Sequence, residues 1–363
     1  MKILITSTLY PFPQTPWRGT FVHDHVHLLK EAGHDIRVIA PRPWVPFGWE
    51  RRNPSFRGLR EVPKRMNLGG VRVEAPVFKS IPGGRSPRWV ARQLRRSARK
   101  IARRWNDWTP DLVHSHTILP SCHLAIEYGK VVESPVLATV PGWDFDEGVN
   151  NNRETFRELL SSLSALLLMR ESQRSVAVDL EYTGKMHVLP YPVIVEGSIR
   201  VAEGTLLEGE NAPERVFNVL FPAGPERPEK NFKLFSEAIE GLRLIHGFNI
   251  DVSTLGGLNH ADTLDKLRQA DLVVYTSTRE GAPIVAREAV AVGTRVCAVN
   301  IGDLADWLPK AVIAESPTAE GVADVIRASL AMDGTAWTLP EHFMPEHSTK
   351  RHIEIYEQII ADY

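Results

Sequence analysis

Short apolar runs alternate with amphipathic stretches along nearly the whole chain, which is the pattern that βαβ units produce. In the first half this pattern predicts strands at residues 2–8, 34–40, 71–77, 111–117, 135–140, 165–169 and 186–189. Helices are predicted between them, at residues 21–32, 88–105, 120–128, 154–163 and 172–182. We therefore expect an α/β domain built on an open, mostly parallel sheet.

The periodic pattern stops at residues 190–213, a stretch with Pro, Gly, Asn and several Glu residues that is typical of a linker. It restarts with predicted strands at residues 216–221, 249–255, 272–276, 295–300 and 311–314. The predicted helices of this half are residues 231–242, 261–270, 282–292, 319–331 and a terminal helix at 349–361. We predict a first domain at 1–192, a linker at 193–214 and a second domain at 215–345.

Two open sheets in succession are expected to face each other across a cleft. In sheets of this kind ligands bind beyond the carboxyl ends of the strands. The loops that follow predicted strands are therefore where binding and catalytic residues are expected.

Composition fits an ordinary globular protein, with 43% hydrophobic and 24% charged residues among 363. No run of about 18 apolar residues occurs, and the N-terminal apolar run is too short for a signal peptide. Cys122 and Cys297 are far apart and form no CxxC pair, which argues against a disulfide framework or a zinc site. These features favour a cytoplasmic protein.

The net charge of −1 conceals an asymmetry between the two halves. Residues 1–150 contain 23 Lys and Arg against 13 Asp and Glu, a net of +10, and the remainder contains 20 against 31, a net of −11. Halves of opposite sign indicate two domains with different partners.

The first predicted strand runs into a Pro-rich loop that ends in Gly19 and Thr20 at the start of a helix. A glycine there lets backbone N–H groups approach an anion, and the helix N-terminus adds partial positive charge. The alternative is a simple turn with Thr20 as the helix cap. The chain contains neither GxGxxG nor GxxxxGK[ST], so the dinucleotide and P-loop fingerprints are absent.

The strand at 272–276 leads into a loop and helix that carry two glutamates, Glu280 and Glu288. Between them, Gly281 and Ala282, which precede Pro283, leave their backbone amides uncovered at the predicted helix start, where a diphosphate or a sugar could bind. The carboxylates could accept hydrogen bonds from vicinal hydroxyls. The alternative is a helix-dipole partner and a solvated surface charge.

The loop after the strand at 216–221 contains Gly224, Arg227 and Lys230 just before a helix. Two cations at the carboxyl end of a strand, in an otherwise acidic domain, are candidates for neutralising a pyrophosphate. A solvated turn is the alternative.

Taken together, these motifs resemble the retaining nucleotide-sugar glycosyltransferases of family 4, which have the two-domain GT-B fold. The Glu280-x7-Glu288 segment carries the resemblance most strongly. Supporting motifs are the Gly19 loop, Gly33-His34-Asp35, the segment 110–116 that ends in His114-Ser115-His116, and Pro228-Glu229-Lys230-Asn231.

The resemblance implies two Rossmann-like domains facing across a cleft, with a terminal helix, at about 346–363, that returns to the first domain. It also implies that Gly19, Arg227 and Lys230 hold the donor diphosphate. Glu280 and the amides of Gly281 and Ala282 would bind the transferred sugar, and Glu288 would bind the ribose. Transfer would retain the anomeric configuration without a metal or other cofactor.

The usual His-Gly-x-Asp of the family reads Pro141-Gly142-Trp143-Asp144 here. Gly142 and Asp144 match and are predicted to lie at the donor, while Trp143 either stacks on a sugar or fills the core. Two alternative functions stay open. One is a nucleotide-sugar epimerase, and the other is a degenerate relative that binds a nucleotide-sugar or an anionic surface without turnover.

Residues 75–106 contain no acidic side chain, while apolar residues recur every three or four positions within them. This predicts an amphipathic helix, at 85–104, with a cationic face that includes Arg95, Arg96, Arg99 and Arg103. Its partner could be anionic lipid headgroups at the inner face of a membrane, with peripheral membrane contact, or a polyanion such as DNA. A merely solvated face is the third possibility.

His114, His116 and His123 cluster around one predicted strand end. An HxH pair with a third histidine is a weak metal signal, and we expect no metal. The family resemblance makes His116 a candidate on the acceptor side.

Overall fold

The computed structural model describes residues 1–16, 18–53, 56–80, 88–142, 144–195, 197, 199–207 and 215–363. The chain folds into two compact units, each with its own sheet. The first unit comprises Met1–Tyr191 together with Pro345–Tyr363, and the second comprises Pro192–Met344.

The first unit is built on an eight-stranded sheet in the order β10-β9-β8-β7-β1-β2-β5-β4, parallel throughout except for the β4–β5 pair. A separate two-stranded pair joins β3 to β6. The strands are β1 (Lys2–Thr6), β2 (Asp35–Ile39), β3 (Arg42–Pro43), β4 (Arg65–Leu68), β5 (Val71–Glu74), β6 (Val77–Phe78), β7 (Leu112–Ser115), β8 (Val136–Val140), β9 (Ala165–Leu168) and β10 (Lys185–Val188).

Helices cover both faces of this sheet, so its central strands β7, β8 and β9 are buried at every position. In β9, Leu166 and Leu168 point into one hydrophobic cluster, while Ala165 and Leu167 point into the other. The helices are α1 (Thr20–Glu31), α2 (Trp49–Arg52), α3 (Arg88–Arg104), α4 (Cys122–Val132), α5 (Val149–Leu160), α6 (Gln173–Asp179) and the C-terminal α12 (Pro345–Asp362).

Helix α12 packs within the first unit although it follows the second unit in sequence. Ile355, Tyr356 and Ile359 on α12 are buried in the same cluster as Val22 and Val26 on α1. Helical spacing of these apolar positions gives α12 one buried face.

The second unit has a five-stranded, fully parallel sheet in the order β12-β11-β13-β14-β15. Its strands are β11 (Val216–Phe221), β12 (Asn249–Thr254), β13 (Leu272–Tyr275), β14 (Arg295–Val299) and β15 (Ile313–Ala314). Its helices are α7 (Phe232–His246), α8 (His260–Gln269), α9 (Ile284–Ala291), α10 (Leu304–Trp307) and α11 (Ala319–Ala331).

The segment that was predicted to be a linker packs on the second unit over much of its described length. Val193 is buried in the core of that unit, and its backbone N–H donates to the Phe343 carbonyl at 2.9 Å. The Leu206 N–H donates to the Leu330 carbonyl at 2.9 Å. The apolar pattern is lost in this segment because its structure is irregular. Backbone hydrogen bonds nevertheless hold it on the second unit.

No helix in the described ranges is both long enough and apolar enough to cross a bilayer. The longest helix, α12, has 18 residues and one polar face.

Candidate active site

The central residues of the site lie in the loops that follow two adjacent strands of the second unit. β11 and β13 are parallel neighbours, so the loops that follow them leave the same edge of the sheet. From these loops the Lys230 Nζ lies 2.5 Å from Glu280 Oε1, and the Ser277 hydroxyl donates to the same oxygen at 2.7 Å. The Lys230 and Glu280 side chains are only 12% and 10% exposed, so this pair is largely removed from water.

Further hydrogen bonds fix the two loops to each other. The Thr276 hydroxyl lies 3.2 Å from the Lys230 carbonyl, and the Thr278 N–H donates to the Glu229 carbonyl at 2.9 Å. Asn231 has a φ of 55° between the turn 228–230 and α7, and its side chain accepts the Leu234 N–H. Asn231 therefore ends the turn 228–230 and caps the start of α7. This change of chain direction fixes the position of Lys230, the residue before it.

Glu288 lies on α9 and is buried, with 8% of its side chain exposed. Its Oε1 lies 2.9 Å from Nε2 of His260, the first residue of α8. The Asn259 side chain caps α8 by accepting the Asp262 N–H, which fixes where His260 begins the helix. Sequence reasoning missed His260, because the contact depends on α8 packing beside α9.

A buried ion pair anchors α9 one residue before Glu288. The Arg287 guanidinium contacts the Asp303 carboxylate, and both side chains are almost fully buried. The same guanidinium lies 4.0 Å from the centre of the Phe343 ring. Tyr275, at the end of β13, is also buried, and burial together with the charges of Glu280 and Glu288 raises the pKa of its hydroxyl.

Arg227 is placed differently from Lys230, although the two were predicted to act as one pair. Its guanidinium is 53% exposed and donates to Glu229 Oε1 at 2.7 Å. Gly224 lies at the start of the same loop, where a Cβ would come within 2.2 Å of the Glu226 carboxylate. The structure therefore brings Lys230, rather than Arg227, to Glu280.

The loop of Gly281, Ala282 and Pro283 precedes the helix instead of opening it. Helix α9 begins at Ile284, two residues later than predicted, with Pro283 as its N-cap and no side-chain cap. The three residues are half-buried. The predicted helix start at residue 282 was wrong, because a residue that precedes a proline avoids the helical conformation and Pro283 itself is extended.

In the first unit, Gly19 is the N-cap of α1, with a φ of 66°, and Thr20 is the first helical residue. The alternative of Thr20 as the cap is wrong. A Cβ on Gly19 would come within 2.4 Å of the Leu9 carbonyl group, so the turn itself requires glycine here.

Asp144 is a buried carboxylate that accepts two backbone hydrogen bonds. Its Oδ2 accepts the Ile118 N–H at 2.7 Å, and its Oδ1 accepts the Leu119 N–H at 3.3 Å. Burial raises the pKa of Asp144 to about 7, although these hydrogen bonds oppose the rise. Gly142 is half-buried close by in sequence, and Trp143 lies outside the described residues.

Four histidines pack together inside the first unit: His25, His114, His116 and His352. Nitrogens of the first three lie within 4.8 Å of one another. Both ring nitrogens of His114 already have hydrogen-bond partners, Tyr356 at 2.7 Å and Thr139 at 2.7 Å. A metal would have to displace these partners, so the cluster fits a neutral, hydrogen-bonded core better than a metal site.

His116 was predicted to face an acceptor, but the structure encloses it completely. Its exposed fraction is 0%, and Nδ1 lies 2.6 Å from the Tyr191 hydroxyl. Burial, reinforced by His352, lowers the pKa of His116 to about 3. The three histidines whose nitrogens lie close together are His25, His114 and His116. His123 is not one of them, although the sequence suggested it as the third member.

Comparisons with known proteins find matching families for both halves of the chain. The family model for "Glycosyltransferase Family 4" matches residues 19–181, and that for "Glycosyl transferases group 1" matches residues 236–338. A Bacillus subtilis protein assigned to teichuronic acid biosynthesis as the glycosyltransferase TuaC is 26% identical over 351 residues, covering 90% of this chain and 88% of its own length. The chain thus carries a domain of the glycosyltransferase family 4 type and one of the glycosyl transferases group 1 type.

A further relative and a solved structure are also similar to this chain. The glycogen synthase of Mycobacterium tuberculosis (strain H37Rv) is 24% identical over 350 residues, covering 84% of this chain and 80% of that protein. HepE of Anabaena, solved in complex with UDP and glucose, superposes with a TM-score of 0.62 at 13% identity, covering 98% of this chain and 99% of that chain. The expected α/β architecture of Rossmann-like, GT-B type is thus confirmed.

The cationic face of this glycosyltransferase is partly neutralised by acids from other elements. Arg95 on α3 pairs with Glu158 at 3.3 Å, and Arg99 pairs with Glu127 at 2.5 Å. Arg96 and Arg103 are exposed and have no acidic partner in the described ranges. The predicted single cationic face therefore divides into paired and unpaired arginines, and residues 85–87 of the predicted helix lie outside the described residues.

Proposed function

We propose that the protein transfers a sugar from a nucleotide-diphosphate sugar to an acceptor, with retention of anomeric configuration and without a bound metal. The observation that carries this proposal is the Lys230–Glu280–Ser277 cluster at the adjoining ends of β11 and β13. A cation and a carboxylate held together, nearly dry, match a ligand that carries both a diphosphate and hydroxyl groups.

The donor would bind along the loops that follow β11 and β13. An ammonium has three N–H donors, so Lys230 can hold Glu280 and a diphosphate oxygen at the same time. Glu280 would then accept hydrogen bonds from sugar hydroxyls, and Glu288, further along α9, from the ribose. The complex of HepE with UDP and glucose supports a donor of this class.

Chemistry at this site would consist of charge stabilisation and orientation. The bond between the sugar C1 and the diphosphate oxygen breaks through an oxocarbenium-like state, and the acceptor oxygen bonds to C1 from the same face. The departing phosphate oxygen takes the acceptor proton. Lys230 neutralises the charge that develops on the diphosphate, with a smaller contribution from the exposed Arg227.

The acceptor is proposed to carry negative charge, because unpaired cations of α3 remain on the first unit. An anionic lipid and a polyanion such as DNA both have this chemistry. Vesicles and DNA are therefore the two probes to compare.

Nucleotide release from UDP-glucose, in EDTA and with and without a cell-membrane lipid extract as acceptor source, tests the proposal. Release that requires the extract, with an α-linked product by NMR, is the expected result. Conversion of the donor to an epimer without release would indicate an epimerase. Binding of UDP-glucose with neither reaction would indicate a degenerate relative.

A further inference from the structure

Helix α3 has a row of cations without an acidic partner in the described part of the chain. The row recurs every three or four residues, so its members lie on one side of the helix, and all are exposed. We call this row the basic stripe, and it consists of Arg88, Arg92, Arg96, Lys100 and Arg103. The acids that contact α3 bind Arg95, Arg99 and Arg104 instead.

Three large aromatic side chains are exposed in the first unit: Trp89 in the first turn of α3, and Trp44 and Phe47 in the loop that precedes α2. Trp44 is 53% exposed, Phe47 is 90% exposed and Trp89 is 37% exposed. Trp44 and Trp89 are connected through Lys79, whose ammonium lies 5.8 Å from the Trp44 ring centre and whose N–H donates to Gln93 Oε1, one turn after Trp89 on α3. Phe47 follows Trp44 by three residues. We call these three side chains the aromatic edge.

A mostly apolar recess of about 160 Å³ adjoins the aromatic edge. A cavity of about this size in a protein interior can hold a molecule as large as benzene. Its walls include Pro43, Trp44, Val45, Pro46, Trp49 and Phe56. The surface thus combines cations, exposed rings and an apolar hollow.

We propose that this face docks on a bilayer that contains anionic lipids. Cations near such a surface are attracted to the headgroups, and Trp rings favour the depth of the headgroups, where one end of the ring is apolar and the other wet. Proteins that bind single-stranded nucleic acid stack bases on rings set along the basic groove itself. Here the rings stand at one end of the stripe, beside an apolar recess, which favours lipid.

The docking surface and the donor loops belong to different units and are measured separately. If both proposals hold, the acceptor is a molecule anchored in the same bilayer. That last step rests on the proposed glycosyl transfer, whereas the docking does not.

Sedimentation with vesicles tests the docking. The full chain is mixed with vesicles of equal parts phosphatidylglycerol and phosphatidylcholine, with pure phosphatidylcholine vesicles, and with single-stranded DNA. One variant changes Arg92, Arg96, Lys100 and Arg103 to Gln. Its matched control changes Arg174, Arg268, Arg327 and Arg351 to Gln, which removes the same charge from arginines paired with acids three positions away.

Each stripe cation is expected to contribute about fivefold to the vesicle partition coefficient, so the stripe variant should bind several hundred-fold more weakly. The control variant should bind like the wild type. At about 1 M salt, where the Debye length falls to about 3 Å, the difference in vesicle partitioning between the wild type and the stripe variant should be far smaller.

A second variant, Trp44→Ala with Phe47→Ala and Trp89→Ala, isolates the aromatic edge. It should lose about tenfold in partitioning at high salt as well, because the contribution of the rings is not electrostatic. Leu244→Ala with Ile245→Ala, which trims exposed apolar side chains of α7, is its control and should change nothing.

Circular dichroism and UDP titration of every variant show whether the fold and the donor site are intact. Equal binding to both kinds of vesicle, equal loss in variants and controls, or binding to DNA alone would each overturn the proposal. Wild-type protein that stays in the supernatant with anionic vesicles at low salt would do the same.

Discussion

In the second unit the cations of the candidate site lie against acids: Lys230 on Glu280, Arg227 on Glu229 and Arg287 on Asp303. In the first unit the basic stripe faces solvent without acids in the described ranges, while the buried histidines have pKa values lowered by burial. The cations of the candidate site are thus paired, whereas the first unit, besides its own ion pairs, leaves a row of cations exposed. This difference is what we expect if the paired charges form a small-molecule site and the unpaired ones bind an extended charged surface, as proposed above.

The largest effect is expected from breaking the buried pair. Arg287→Ala leaves Asp303 buried without its partner, and we expect a loss of about 3–5 kcal/mol in the free energy of unfolding. Urea unfolding measures it. Arg327→Ala, which removes an exposed pair with Asp324, should cost less than about 1 kcal/mol. Similar losses in the two variants would show that burial does not distinguish these pairs.

Turnover separates the two loop cations. Lys230→Ala should lower the rate of nucleotide release by roughly 10²–10³-fold, because it removes an oriented donor from a nearly dry site. Arg227→Ala should cost less, since its guanidinium is 53% exposed and held by Glu229. The double variant should fall short of the product of both effects. Equal losses for the two single variants would contradict the distinction drawn here.

Glu288→Ala tests whether the carboxylate on α9 that contacts His260 binds the ribose. Loss of a charged hydrogen-bond acceptor for the ribose should weaken UDP binding by about 1.5–3 kcal/mol. Calorimetry with 2′,3′-dideoxy-UDP supplies the control, because a ligand without those hydroxyls should lose nothing. If both ligands weaken equally, Glu288 supports the fold instead of binding ribose.

Acid should destabilise the first unit through its histidines. Burial lowers the pKa of His352 to about 4, from an ordinary value of 6.5. Below pH 6.5 the unfolded chain therefore takes up the proton first, and the stabilisation present above that pH is lost as the pH falls towards 4.

Each such histidine contributes up to about 1.4 kcal/mol per pH unit to the slope of the unfolding free energy. His352→Leu should therefore reduce the slope measured between pH 6.5 and 5. His246→Gln, at an exposed histidine of the second unit, should leave the slope unchanged. An identical slope in all three proteins would mean that His352 is not held neutral.

Much of the fold follows from local pattern. The strand at 216–221 and the helix at 319–331 were predicted with the bounds that the structure has, because apolar residues recur within each of them at the spacing of its own element. β3, β4 and β6 were not predicted as separate strands. Two-residue strands such as β3 and β6 carry too few positions to show a period.

The site was predictable where its residues share one loop and helix, as Glu280 and Glu288 do. Partners from elsewhere in the chain left no signal: His260 lies 28 residues from Glu288 in sequence, and Glu158 lies 63 residues from Arg95. The histidine cluster likewise gathers α1, β7 and α12, which only the tertiary fold brings together. Local spacing therefore identified the charged residues of the site but not the residues that pair with them.

The central proposal is that Lys230 binds the diphosphate of the donor. Calorimetric titration of UMP and UDP in EDTA, on the wild type and on Lys230→Ala, tests it most directly. We predict that the wild type binds UDP at least about tenfold more tightly than UMP, and that Lys230→Ala loses this preference while still binding UMP. A wild type that binds the two equally, or a variant that keeps the preference, would contradict the account.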